Sequence, residues 1–158
     1  MSTGAGRTII ADTSCLIILF NIGELDILRR LFGEVTITDL VLAEFGQPVP
    51  EWVRVEVPQD GPLLSGLLAD LDAGEATAIA LAEQIGNCLL ILDDLAARAI
   101  AVKRKLDHMG TLGVLTQAKR KGLITAVLPY KRRLQENGFR MSEKLLDDWV
   151  AENGEREA

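Results

Sequence analysis

The sequence predicts an α/β fold built on a parallel sheet, and three observations carry that prediction. Short β-rich apolar runs alternate with stretches of helical periodicity, the pattern of successive βα units. The chain has 158 residues, 48% hydrophobic and 25% charged, the size and composition of one ordinary globular domain. Only 5 Pro and 14 Gly are present, which excludes disordered and fibrous architectures.

Residues 8–12 read as a first strand ending at Asp12, and the Asp12-Thr13-Ser14 run supplies capping groups for a helix. The next segment, 24–32, puts Leu25, Leu28 and Phe32 on one helical face. A second strand covers 35–38. Asp39 is then available to cap a helix over 40–45, which Gly46, Pro48 and Pro50 end before an extended stretch at 52–57. Beyond a loop at 58–62, a short helix covers 63–71. Gly74 opens another over 75–85, terminated by Gly86 and Asn87. Residues 88–92 read as a buried strand. Asp93 and Asp94 follow it directly and start a helix through Lys105. A short connection around Met109 leads to a helix over 111–121 closed by Gly122. Two helices end the chain, one from about Thr125 to Glu136 with Pro129 near its start and one from after Ser142 to near Gly154. Without repeats, low complexity or a linker, the expectation is a single domain over 1–158 whose helical C-terminal segment occupies about 124–154.

The apolar runs are far shorter than the roughly 20 residues a membrane-spanning helix needs. Met1–Gly6 lacks a basic start and apolar core, and Cys15 and Cys88 sit inside apolar runs, where they read as core. A reducing cytoplasm is the expected location. Net charge is −6 but unevenly spread: residues 1–97 hold 4 Lys/Arg against 15 Asp/Glu, and residues 98–158 hold 13 against 8.

In an open parallel sheet, ligands bind beyond the carboxyl ends of the strands. Asp12 ends one strand and Asp93-Asp94 end another, with Glu75 in the first turn of a helix and Glu44 on the helix after the second strand as candidates to join them. A strand-end Asp also caps helices, and Glu44 alone reads equally well as a solvated helix residue; the conjunction is the signal. Asp72 reads as a solvated loop acid. Closely packed acids repel unless protons or cations compensate, and an all-oxygen set without a usable His or Cys favours Mg2+ or Mn2+ over zinc. Such an ion, keeping several waters, suits phosphodiester hydrolysis. His108 is the only histidine, so a paired His acid and base is not expected.

Five strings in order resemble the PIN-domain family: I-I-A-D-T-S-C-L-I at 9–17, V-L-A-E-F at 41–45, D-A-G-E-A-T-A-I-A-L-A at 72–82, L-L-I-L-D-D at 89–94 and G-T-L-G-V-L at 110–115. The likeness covers about 7–140 and lies near the VapC-type toxins of toxin-antitoxin pairs. It implies an α/β/α sandwich around the parallel sheet and a metal-dependent ribonuclease; single-stranded RNA suits the sequence better than duplex DNA, because one strand can bend its backbone into a narrow acidic pocket. The family's acidic motif maps onto Asp12, Glu44, Glu75 and Asp94, with Ser14 or Thr13 as the hydroxyl supporting Asp12 and Asp93 competing for the strand-end position. Many members carry a further acid where this chain reads Gly110-Thr111, so a full second metal site is not implied, and Thr111 is available to hold water or phosphate.

On that reading Asp12 and Asp94 ligate the ion, Glu75 ligates it or orients its water, and Glu44 completes the ring. Nine of the 17 basic residues fall in the triplets 103–105, 119–121 and 131–133. Lys119, Arg120 and Lys121 are the designated RNA contacts, although cations in a last helical turn also complement the macrodipole. Trp52 and Tyr130 are candidates to stack on bases, Trp52 reading more readily as core. A protein antitoxin and a homodimer are the expected partners, and no membrane. Two rivals stand: a PIN-fold interaction module without activity, and a phosphoryl-accepting receiver domain, which the missing Lys near Met109 argues against.

Overall fold

A computed structural model describes residues 6–156, so residues 1–5 of the Met1–Gly6 stretch lie outside the described part. In chain order the elements are β1 (Thr8–Ala11), α1 (Thr13–Asn21), α2 (Asp26–Phe32), β2 (Val35–Thr38), α3 (Asp39–Phe45), β3 (Val53–Glu56), α4 (Pro62–Asp70), α5 (Ala73–Ile85), β4 (Cys88–Ile91), α6 (Leu95–Lys103), β5 (Asp107–Met109), α7 (Thr111–Arg120), α8 (Leu128–Glu136) and α9 (Glu143–Glu152). The strands form one sheet in the order β3-β2-β1-β4-β5, every neighbouring pair parallel.

The central strands β1 and β4 are buried on both faces, which is why they read as continuous apolar runs rather than alternating ones. Side chains still alternate between the layers. Ile9, Ala11, Leu89 and Ile91 pack into one core with α1, α2, α3 and α7–α9, whereas Ile10, Cys88, Leu90 and Leu92 pack into a second with α4, α5 and α6. The result is an α/β/α arrangement. Burying each such Ile or Leu side chain contributes roughly 1.5–3 kcal/mol, and Cys15 and Cys88 belong to these cores as free thiols.

The segment around Met109 is not a plain connection but the edge strand β5, in register with β4 through Ile91 and Met109. Asp39 does not cap α3: the Thr38 hydroxyl accepts from Val41 N–H at 3.2 Å, and Asp39 is the first helical residue. α8 begins at Leu128, later than the Thr125 expected, because the Glu155 carboxylate accepts from Val127 and Leu128 N–H, both at 2.9 Å. The strand order also overturns the receiver reading, since receiver-like sheets run 2-1-3-4-5. Among the described residues, no helix is long and apolar enough to cross a membrane.

Candidate active site

From β1 the chain builds outward through β2 and β3, then crosses back to β4 and β5, so the sheet's switch point lies between β1 and β4. Loops part there and leave a crevice at the carboxyl ends of the strands. Register brings the two ends level: Ala11 pairs with Ile91, and Asp12 N–H donates to Ile91 O at 3.1 Å. Asp12 and the Asp93-Asp94 pair therefore leave the sheet side by side.

Asp12 is only 2% exposed, and its Oδ1 accepts from Thr13 N–H at 2.7 Å at the start of α1. The Thr13 hydroxyl turns the other way and donates to Glu44 Oε1 at 2.7 Å, tying α3 to α1. α5 enters against this group through Gly74. A Cβ there would collide with Glu44 Oε1 and stand 2.7 Å from Thr13 Oγ1 and 3.2 Å from Asp12 Oδ1, so a residue without a side chain is what allows the helix to approach. Glu75 follows and is buried. Asp72 caps α5, accepting from Glu75 N–H at 2.9 Å.

Burial pushes the Asp12 carboxyl up to about 7; the Thr13 N–H opposes this, and the charges of Asp72, Glu44 and Asp93 add to it. Burial, with Asp12, Asp72 and Asp94 nearby, pushes Glu75 up to about 8. Among the described residues, no Lys or Arg forms an ion pair with Asp12, Glu44, Asp72, Glu75, Asp93 or Asp94.

A cleft of about 720 Å³ opens over this group. Asp72, Glu75, Asp93 and Asp94 supply its acidic lining, and Ser14, Ile17 and Ile18 of α1 and residues 137–141 of the α8–α9 loop line it as well. The four expected acids do not all line it: Asp12 and Glu44 are absent from its lining, and Asp12 couples to it electrostatically. Asp93 is committed on both oxygens, to Thr111 N–H at 2.8 Å and to the Thr111 hydroxyl at 2.5 Å. Asp94 spends one oxygen, Oδ2, on Ala97 N–H at 2.9 Å as the cap of α6.

Several expectations change with these contacts. The Thr111 hydroxyl, expected to hold water or phosphate, is fully buried and donates to Asp93. Ser14 is exposed in the cleft and makes no described hydrogen bond to Asp12; the Thr13 N–H does. Tyr130 is not a stacking platform, being buried, donating its hydroxyl to Glu24 and lying under Arg133. Trp52 packs against the core. Lys119 donates to Asn153 O at 2.5 Å and to Glu155 at 2.6 Å, whereas Arg120 and Lys121 are exposed. Sequence reasoning passed over Asp72 and the 137–141 wall. For Asp72 the signal was present, an Asp three residues before a Glu at a helix start; for the wall, which packs from a distant helix pair, the sequence holds none.

An all-oxygen donor set, with Asp12 and Glu75 buried and no ion pair to a described Lys or Arg, fits a divalent cation such as Mg2+ or Mn2+. No three Asp, Glu, His or Cys side chains among the described residues converge into a ready-made cage. That is compatible with Mg2+, which takes one or two carboxylates and keeps its waters.

No curated protein and no solved structure matches this chain. A family model described as DUF3368, PIN domain, does match, over residues 8–155. PIN domains have a nuclease-like fold, in which the crevice at the switch point is the natural place for the chemistry. With the match spanning nearly the whole chain, and with this sheet and this crevice, the protein belongs to the PIN-domain family.

Proposed function

We propose that this protein is a metal-dependent endoribonuclease that hydrolyses phosphodiester bonds of single-stranded RNA. One observation carries the reading: six acids, two of them buried, gather at the switch point without an ion pair from any described Lys or Arg. A group so arranged is costly to the fold unless something cationic occupies it. Glu75 and Asp94, which line the cleft, would hold the ion, with the charge of Asp12 coupled to Glu75 from outside the lining. When bound, Mg2+ or Mn2+ supplies a water of lowered pKa and a polarised phosphate. The Thr13 hydroxyl holds Glu44, Thr111 holds both oxygens of Asp93, and Asp94 spends only Oδ2 on the cap of α6. Single-stranded RNA suits a cleft of this size better than a duplex, because one strand can bend its backbone toward the acids.

The ordered strings at 9–17, 41–45, 72–82, 89–94 and 110–115 support a finer reading, a VapC-like toxin held in check by a protein antitoxin and acting as a homodimer. A neighbouring reading frame for a small DNA-binding protein that co-purifies with this chain supports that part, and solitary purification from its native operon contradicts it.

The direct test is cleavage of single-stranded RNA with Mg2+, with Mn2+ and with chelator. The expected result is metal-dependent cleavage leaving 5′-phosphate and 3′-hydroxyl ends, abolished in Asp12→Asn with the fold intact. RNA binding without cleavage under any divalent ion replaces the enzyme with an interaction module. Full activity in Asp12→Asn removes the site assignment.

A further inference from the structure

We propose that Arg140, on the loop between α8 and α9, is a strand-positioning residue that takes the RNA phosphate next to the one held at the acids. The inference rests on the ribonuclease reading and extends it to how the substrate is held. The cleft poses a physical difficulty: Asp72, Glu75, Asp93 and Asp94 all face it, and a polyanion entering past them is repelled beyond the reach of one bound cation. An attractive charge elsewhere in the lining offsets that repulsion. Among the described residues lining the cleft, Arg140 is the only basic one. It is exposed, and no ion pair holds it among the described residues, in contrast to Lys119, Lys131 and Arg133. A guanidinium presents a planar fork of donors matched to phosphate oxygens.

The backbone beneath Arg140 is braced. Phe139 N–H donates to Leu134 O at 3.0 Å, Asn137 Nδ2 donates to Arg133 O at 2.8 Å, and Gly138 turns the chain at φ +83°, a conformation that favours glycine. Phe139 and Met141, on either side of Arg140, pack against the larger core. α8 is itself anchored to the α1–α2 connection by Tyr130 to Glu24 and Arg133 to Ile22 O. A braced backbone carrying an exposed guanidinium without an ion pair in the lining of the cleft holds the strand in a defined register at little entropic cost. The three basic triplets do not line the cleft, so contacts from them reach only flanking phosphates.

The test is steady-state cleavage of a short single-stranded RNA by the full chain with Mn2+, as wild type, Arg140→Gln and Arg140→Lys, over a range of salt, with melting temperatures measured alongside. Arg140→Gln is expected to raise KM on the order of tenfold, as for one lost charge-assisted contact, with kcat changed by less than about twofold. The slope of log kcat/KM against log salt should fall in magnitude by about 0.7. Arg140→Lys should restore most of the slope and part of the KM. An unchanged KM and slope in Arg140→Gln overturns the inference and leaves the ribonuclease reading standing. A fall in kcat and melting temperature that Arg140→Lys does not rescue makes Arg140 structural and also overturns it. A wild type that neither cleaves nor binds the RNA overturns both readings.

Discussion

The acids at the end of the sheet and the cations that anchor the α7–α9 layer are treated differently: Lys119, Lys131 and Arg133 are each paired within the chain, and none of the six acids has a described Lys or Arg as its ion-pair partner. Lys119 reaches Glu155 at 2.6 Å, Lys131 reaches Asp147 at 2.5 Å, and Arg133 meets Glu24 and Ile22 O. Glu155 gives back a cap to α8, and although its partial burial works against it, the Lys119 contact and two backbone N–H groups hold its carboxyl below the usual range. At the cleft the opposite holds. Asp12 and Glu75 lack a cationic partner among the described residues, and burial holds both above the usual carboxylate range. One region uses charge to fasten helices together; the other keeps charge unsatisfied, which weakens the apo fold and leaves binding free energy for a cation. The difference assigns the first region to folding and the second to chemistry.

Substitutions can break this contrast. The largest effect is expected from Glu75→Gln, which should lower Mn2+-dependent RNA cleavage by about 100-fold or more without lowering the melting temperature, since repulsion is relieved. Cleavage kinetics beside a thermal melt check it, and a parallel loss of both would make Glu75 structural. Gly74→Ala comes next. The added Cβ displaces the flexible end of Glu44 and crowds the Thr13 hydroxyl, so cleavage should drop about tenfold with little loss of stability.

Lys119→Met should do the reverse. It strands the Glu155 carboxylate and should cost about 1–3 kcal/mol, read as a lowered melting temperature, while the salt slope of RNA binding stays unchanged. Arg120→Gln with Lys121→Gln is the complementary variant, expected to flatten that slope by up to about 0.7 for each lost contact and to leave stability alone. A slope that responds to Lys119 instead would return the triplet to the RNA path. The smallest difference expected is between the paired aspartates: Asp94→Asn should cost more cleavage than Asp93→Asn, because Asp93 already spends both oxygens on Thr111. The reverse ranking moves the site by one residue.

Strands and helices were legible where a local pattern decides them. The apolar runs of β1 and β4, the Ser142 cap of α9 and the Asp12 and Asp94 strand ends all announce themselves within a few residues. What was not legible depends on distant partners. β5 is three polar and half-apolar residues whose strand character comes from pairing with β4. Thr38 and Asp39 are both good caps, and only the point where β2 ends selects Thr38. The start of α8 is set by Glu155, whose carboxylate arrives from beyond α9. The acids of the candidate site could be read because strand ends and helix starts locate them, whereas the 137–141 wall could not, because nothing local links that loop to Asp94.

The central claim, that the acids form an uncompensated cation site, is tested most directly by the difference in melting temperature between wild type and Asp12→Asn across pH 4 to 8, with and without Mn2+. Asp12 holds its proton in the folded chain up to about 7 but releases it near the ordinary carboxylate value of 3.8 when unfolded. Between these values the native state binds more protons than the unfolded one, so wild-type stability falls as pH rises. Asp12→Asn lacks that loss. Without metal the variant should therefore become progressively more stable than wild type up to about pH 7, and Mn2+ should raise the wild-type melting temperature and close the gap while leaving the variant unmoved. A difference that stays constant over that range, together with equal responses to Mn2+, would contradict the account.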